Sequence, residues 1–158
     1  MTIEFGSALG YFMNSNRSQT ERVKNLVNRY DKARRRGRLV SWLGRLSGRP
    51  AHLMDLGAVR GRRAGSRAYA GTRPVRISQI RGSEGRCHDF DQEFNPRSEK
   101  NLGRWLSVAQ AKLDGTVLPP VELIQVGDIY FVRDGHHRIS VAHALGEEYI
   151  DAEIILEN

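Results

Sequence analysis

Residues 129–146 read IYFVRDGHHRISVAHALG. The first four, aromatic and β-branched, follow a Gly127-Asp128 turn and an earlier apolar run of Val121, Leu123, Ile124 and Val126, which predicts a β-hairpin. Ile139, Ala142, His143 and Leu145 follow helical spacing, and Gly146 is placed to end that helix in a left-handed conformation. The box between them, Asp134 to Arg138, therefore joins a strand end to a helix N-terminus. Unpaired backbone N–H groups and the positive end of the helix dipole favour an anion there. Gly135 permits close approach, and the planar fork of Arg138 matches phosphate oxygens. His136 and His137 add donors whose charge is adjustable near neutral pH. A tight turn with solvated Arg and His is the other reading, and five residues alone leave it open.

Together with Leu118-Pro119-Pro120-Val121 before it and Ile150-Asp151-Ala152 after it, the box resembles the core of the ParB/sulfiredoxin superfamily. The resemblance runs from about residue 74 to about residue 156, and its most specific part is the glycine-histidine-arginine box after a strand. Upstream, Ile77, Ile80, Arg86 and Phe90-Asp91 resemble the segment in which ParB proteins carry an arginine before a Phe-Asp pair. The resemblance implies an α+β fold, a small mixed sheet with packed helices, here preceded by an N-terminal helical basic arm. It also implies a nucleoside triphosphate site, for CTP as in partitioning ParB or ATP as in sulfiredoxin and the free-serine kinases. Carried over residue by residue, Gly135, His136, His137 and Arg138, with Arg86, would hold phosphates, and Gly115 and Thr116 would lie where ParB proteins contact the base.

Several departures narrow that implication. Sulfiredoxin needs a cysteine inside the box, where this chain has histidine, and the lone Cys87 lies far away in sequence; sulfinic acid reduction is not expected. The helix-turn-helix and dimerisation domains of partitioning ParB are not expected either, because the chain ends at Asn158, one strand beyond the box. The expected function is therefore a ParB-like nucleotide-binding protein associated with DNA, with hydrolysis or nucleotide-dependent switching. The alternatives are a phosphotransferase resembling free-serine kinases, with Glu84, Asp134 or His137 in the catalytic role, and a metal-dependent nuclease. Magnesium accompanying a nucleotide needs only one or two carboxylates, which Asp134 or Asp91 would supply. Tight zinc binding is not expected, since adjacent histidines point apart and the cysteine has no partner spacing.

Composition sets outer bounds. The chain has 158 residues, 39% of them hydrophobic, which suits one domain with an extension. A single cysteine fits a reducing compartment. No apolar run reaches membrane-spanning length and no signal-peptide order opens the chain, so an integral membrane segment is not expected and a cytoplasmic location is. Charge is uneven: residues 1–86 carry 19 Lys or Arg against 5 Asp or Glu, net +14, whereas residues 87–158 carry 6 against 13, net −7. Arginine dominates the positive charge and is the better phosphate fork, which makes nucleic acid an expected partner of the N-terminal half.

Three segments follow: a helical arm over 1–56, a basic Gly/Arg-rich linker over 57–73, and the nucleotide-binding domain over 74–158. In the arm, Ser18-Gln19-Thr20-Glu21 reads as a capping box before Val23, Leu26, Val27, Tyr30 and Ala33 on one face. A second helix carries Leu39, Val40, Trp42, Leu43 and Leu46, with a break or bend at Arg34-Arg35-Arg36-Gly37 and a stop at Gly48-Arg49-Pro50. Three fates fit such helices: packing on the domain as a hairpin, contact with nucleic-acid phosphates, and adsorption to an anionic membrane. Beyond the linker, a helix is expected over about 102–114, and Ile150, Ala152, Ile154 and Leu156 predict a last strand with one buried face.

Overall fold

The computed structural model describes residues 5–48, 52–61 and 65–157, with only the backbone described for 5–17, 45 and 47. In chain order the elements are α1 (Phe5–Ser47), β1 (Met54–Asp55), α2 (Leu56–Arg60), β2 (Arg67–Arg76), β3 (Ile80–Ser83), α3 (Leu102–Leu113), β4 (Val121–Val126), β5 (Ile129–Asp134), α4 (His136–Ala144) and β6 (Tyr149–Glu157). The expected hairpin, β4 with β5, lies at the middle of a six-stranded sheet of order β1-β3-β5-β4-β6-β2. Pairing is parallel for β1/β3, β3/β5 and β4/β6, and antiparallel for β4/β5 and β6/β2. The fold is thus α+β with a mixed sheet.

Successive hairpin residues point to opposite faces, and both faces are covered. Leu123 and Val132 join Ala152, Ile154, Phe90 and Phe94 in the main core beneath Ile139 and Ala142 of α4. Ile124 and Phe131 pack on the other face with Leu56 of α2. Burial on both sides explains why the hairpin reads as near-continuous apolar sequence rather than as a strict alternation. Beyond α4 lies a further helical layer, in which Trp105 and Ala109 of α3 meet Val141 of α4 and Leu26 and Tyr30 of α1.

The arm differs from the two helices expected. It is one helix of 43 residues, and Ser18 to Glu21 lie within it; Glu21 pairs with Lys24 at 3.3 Å. Gly37 does not break it. A Cβ there would lie 3.2 Å from both Asn95 Cβ and Asp91 Oδ2, so this glycine lets the helix pass close to the 91–96 loop. The helix-propensity cost of about 1 kcal/mol is offset by that packing. Leu26, Tyr30 and Ala33 are buried as expected, while Val23 is half exposed. Gly48 stands after the last helical residue with φ 67°, and Arg49 and Pro50 lie outside the described residues.

The stretch expected as a linker contributes regular structure on both sides of residues 62–64, which lie outside the described residues. Asp55 caps α2, its Oδ1 accepting the Gly57 N–H at 3.2 Å, and Arg67 opens the ten-residue edge strand β2. Of that strand's side chains only Val75 is buried. Its order comes from backbone pairing along β6, aided by Glu157, whose carboxylate accepts from Arg67 Nε at 2.7 Å and from Arg60. A strand held by its neighbour's backbone carries little apolar pattern of its own.

Candidate functional site

The box begins where β5 ends. Gly135 has φ 101°, and a Cβ on it would lie 2.4 Å from Val121 Cγ1, so only glycine turns the chain from strand into α4 here. The first intrahelical bond runs from the Ile139 N–H to the Gly135 carbonyl at 3.0 Å, and no side chain caps the helix. The amides of His136, His137 and Arg138 therefore precede the hydrogen-bonded ladder at the positive end of the dipole. These three residues border a cleft of about 840 Å³, which also receives Glu84 to Arg86 after β3, Asp89, and Lys100, Asn101 and Arg104 at the start of α3.

The cleft gathers five cations, Arg86, Lys100, Arg104, Arg133 and Arg138, against three carboxylates, Glu84, Asp89 and Asp134. Arg133 lies 3.8 Å from Glu84 and 3.7 Å from Glu122. Arg138 pairs with Asp134 at 2.6 Å. Among the described residues, no carboxylate stands within ion-pair distance of Arg86, Lys100 or Arg104. Their charge is left for a ligand.

His136 is buried, with Nε2 2.7 Å from Ser83 Oγ. That oxygen also accepts the amide N–H of Gly85 at 3.3 Å and of Arg86 at 3.0 Å. With both lone pairs occupied, the Ser83 hydroxyl proton points to His136 Nε2, which makes His136 a neutral, Nδ1-protonated imidazole. Burial first, then the charges of Arg86 and His137, hold its pKa at about 4. His137 is likewise held below its ordinary value by burial, Arg86 and Arg104, and its Nδ1 has no hydrogen-bond partner. Both rings pack on the buried Phe90, His136 stacked at 5.9 Å and His137 edge-on at 5.4 Å. The two histidines are therefore neutral at neutral pH, and the box offers backbone amides rather than imidazolium charge.

Arg138 is engaged elsewhere. Its Nη1 donates to the carbonyls of Pro119 and Pro120, at 2.5 and 2.7 Å, and its Nη2 donates to Asp134. It braces the entry to β4 against the box, on the wall between the cleft and an adjoining groove of about 320 Å³. Thr116 lines that groove rather than the cleft, and Gly115 makes the left-handed turn after α3 with φ 76°. Glu84 does reach the cleft, with its carboxylate paired to Arg67 and Arg133.

Asp91 is not brought to Asp134. It is fully buried, accepting the amide N–H of Glu93 at 2.9 Å and of Asn95 at 2.8 Å, and Asn95 Nδ2 at 3.0 Å. Burial nonetheless raises its pKa. It closes the loop under Gly37 of α1, and its neighbour Asp89 takes the place in the cleft. Among the described residues no three His, Cys, Asp or Glu side chains gather as a metal cluster.

Sequence reasoning missed Ser83, Lys100, Asn101 and Arg104. Their one visible signal was the position of the last three at the predicted start of α3, some thirty-five residues before the box. Arg86, one of the expected phosphate-holding residues, lines the cleft. No family model and no curated protein sequence matches the chain. Among solved structures it is similar to sulfiredoxin from Arabidopsis thaliana, with 19% identity over 54% of this chain and 84% of that one, at a TM-score of 0.40.

Proposed function

We propose that the cleft binds the phosphates of a nucleotide. The observation that carries this reading is the uncapped N-terminus of α4 opening onto Arg86, Lys100 and Arg104, three cations without carboxylate partners. Backbone amides, a helix dipole and arginine forks are complementary to phosphate oxygens. A volume near 840 Å³ lies within the range of small-molecule sites, roughly 300–1,000 Å³. Thr116 and its groove, across Arg138, are where the base would lie. Asp134 has an exposed carboxylate suited to a magnesium ion that takes its remaining ligands from phosphates and water. The bound nucleotide is ATP or CTP.

The test is thermal stability with ATP, CTP, ADP and inorganic phosphate, each with and without magnesium, on the wild type, Arg86→Ala and Arg104→Ala. A ligand at 100 times its dissociation constant stabilises by about 2.7 kcal/mol, roughly 5–11 °C for a chain of this size. Each arginine variant is expected to weaken binding by about 10- to 100-fold, the loss of a charge-assisted hydrogen bond, with its ligand-free stability unchanged. Positioning and charge stabilisation supply most of phosphoryl transfer, so phosphate release is read in the same samples. No shift with any nucleotide at millimolar concentration would overturn the proposal.

A further inference from the structure

Helix α1 carries apolar side chains on two opposite faces. Leu26, Tyr30 and Ala33 face the domain, and Gly37 continues that stripe along the 91–96 loop. Leu39, Trp42 and Leu46 begin two residues later, about 200° round the helix at 3.6 residues per turn, and are 58%, 58% and 69% exposed. One straight helix cannot turn both stripes onto one domain. The outward side continues into a shallow groove lined by Asn28, Asp31, Lys32, Arg35, Arg36 and Leu39, three cations against one carboxylate. Between Asp31 and Asp55 the sequence has seven Lys or Arg and no carboxylate; of these Arg34 is turned to the domain, paired with Glu99.

We propose that this outward face of α1, from Lys32 to Leu46, docks on an anionic lipid surface, with Leu39, Trp42 and Leu46 among the acyl chains and the cations among the head groups. Charge complementarity selects the occupant. A second copy of the same face would bring like-charged helices together. Nucleic acid would neutralise the arginines but leave three large apolar side chains in water. An anionic bilayer satisfies both, since its surface attracts basic segments and its interface accommodates tryptophan and leucine. The segment spans about 21 Å at 1.5 Å per residue, and no helix among the described residues is long and apolar enough to cross a membrane. The attachment is therefore peripheral and reversible.

Tryptophan emission makes the proposal testable in the whole chain. Trp105 is fully buried and donates to Ser140 Oγ at 3.0 Å, so a lipid-induced blue shift reports Trp42. Vesicles of phosphatidylcholine alone are compared with vesicles containing about one third phosphatidylglycerol, by co-sedimentation and fluorescence. The expected result is binding and a blue shift with the anionic vesicles only, weakened by salt, and reduced roughly tenfold or more in the double variant Leu39→Ser, Leu46→Ser. Both positions are exposed, and circular dichroism checks that α1 is retained. Failure to bind anionic vesicles, or binding that ignores the double variant, would overturn the proposal. Lipid-independent dimerisation abolished by that variant, without vesicle binding, would overturn it in favour of a second copy. Duplex DNA binding untouched by the variant, without vesicle binding, would overturn it in favour of nucleic acid.

Discussion

Replacing Ser83 by alanine removes one oxygen from the site and tests how the cleft is organised. Ser83 Oγ holds three partners at 2.7 to 3.3 Å, His136 Nε2 and the amides of Gly85 and Arg86. Ser83 is fully buried and His136 is 6% exposed, so water does not readily replace the lost hydroxyl at the imidazole. An unsatisfied buried acceptor costs about 1–3 kcal/mol, and each lost amide bond at the cleft wall about 0.5–1.5 kcal/mol. The total, about 2–6 kcal/mol, corresponds to a fall in Tm of roughly 4–24 °C for a chain of this size. Urea denaturation measures the first figure and a thermal scan the second. Because the same oxygen presents the Gly85-Arg86 backbone to the cleft, nucleotide affinity is expected to fall as well, in the direction of Arg86→Ala. A loss below about 0.5 kcal/mol with unchanged affinity would refute the assignment of Ser83 as the peg that sets both histidine tautomer and loop.

Stability should depend on pH through the same histidine. The unfolded imidazole gains its proton near 6.5, the folded one only near 4, so the folded state binds fewer protons between those values. Stability is complete above pH 6.5, falls as pH is lowered towards 4, and stops falling from this cause below it. At 1.36 kcal/mol per unit the loss is about 3 kcal/mol, and His137 adds in the same direction. Urea midpoints at pH 7, 6 and 5 should slope in the wild type and less in His136→Asn; parallel profiles would contradict the neutral assignment. Gly135→Ala should be among the most damaging single changes, since its φ of 101° is added to a Cβ contact of 2.4 Å with Val121. A cost of about 2–5 kcal/mol follows from left-handed strain plus overpacking, and a variant with wild-type denaturation would show that the turn relaxes.

The centre of the fold was legible because its signals are local. The hairpin shows as two apolar runs around Gly127-Asp128, and the box shows as the junction of a strand with helical spacing; that Gly135 turns the chain there at φ 101° is visible only in the structure. What depends on distant partners did not show. Gly37 reads as a helix breaker until the 91–96 loop is seen to lie 3.2 Å from where its side chain would be. The edge strand β2 reads as a linker because its order comes from the backbone of β6. Arg138 reads as a phosphate fork because the Pro119 and Pro120 carbonyls that occupy it are free only in sequence. The unpaired cations Lys100 and Arg104 had no motif to mark them. Their relevance arises from α3 beginning beside α4, a contact between helices rather than a pattern within one.

That contact is set in part by the arm. The Tyr30 hydroxyl donates to the Ser98 carbonyl at 2.6 Å, Arg34 pairs with Glu99 at 2.6 Å, and the Tyr30 ring meets Trp105 edge-on at 5.4 Å. Trp105 in turn donates to Ser140 of α4. α1 thus grips Ser98 and Glu99, the residues immediately before Lys100, and fixes where α3 starts relative to the box. Tyr30→Phe separates packing from positioning, since it keeps the ring and removes only the donor. The stability cost should be modest, about 1 kcal/mol for one hydrogen bond, or a Tm lower by about 2–4 °C. If the arm positions the cleft, nucleotide affinity falls severalfold and amide exchange quickens at residues 98–104, although the substituted atom lies on another helix. If affinity is unchanged while Tm falls by the expected amount, α1 serves as a packing layer, and the placement of Lys100 and Arg104 is carried by the packing of α3 on α4, through Trp105, Ala109, Ser140 and Val141.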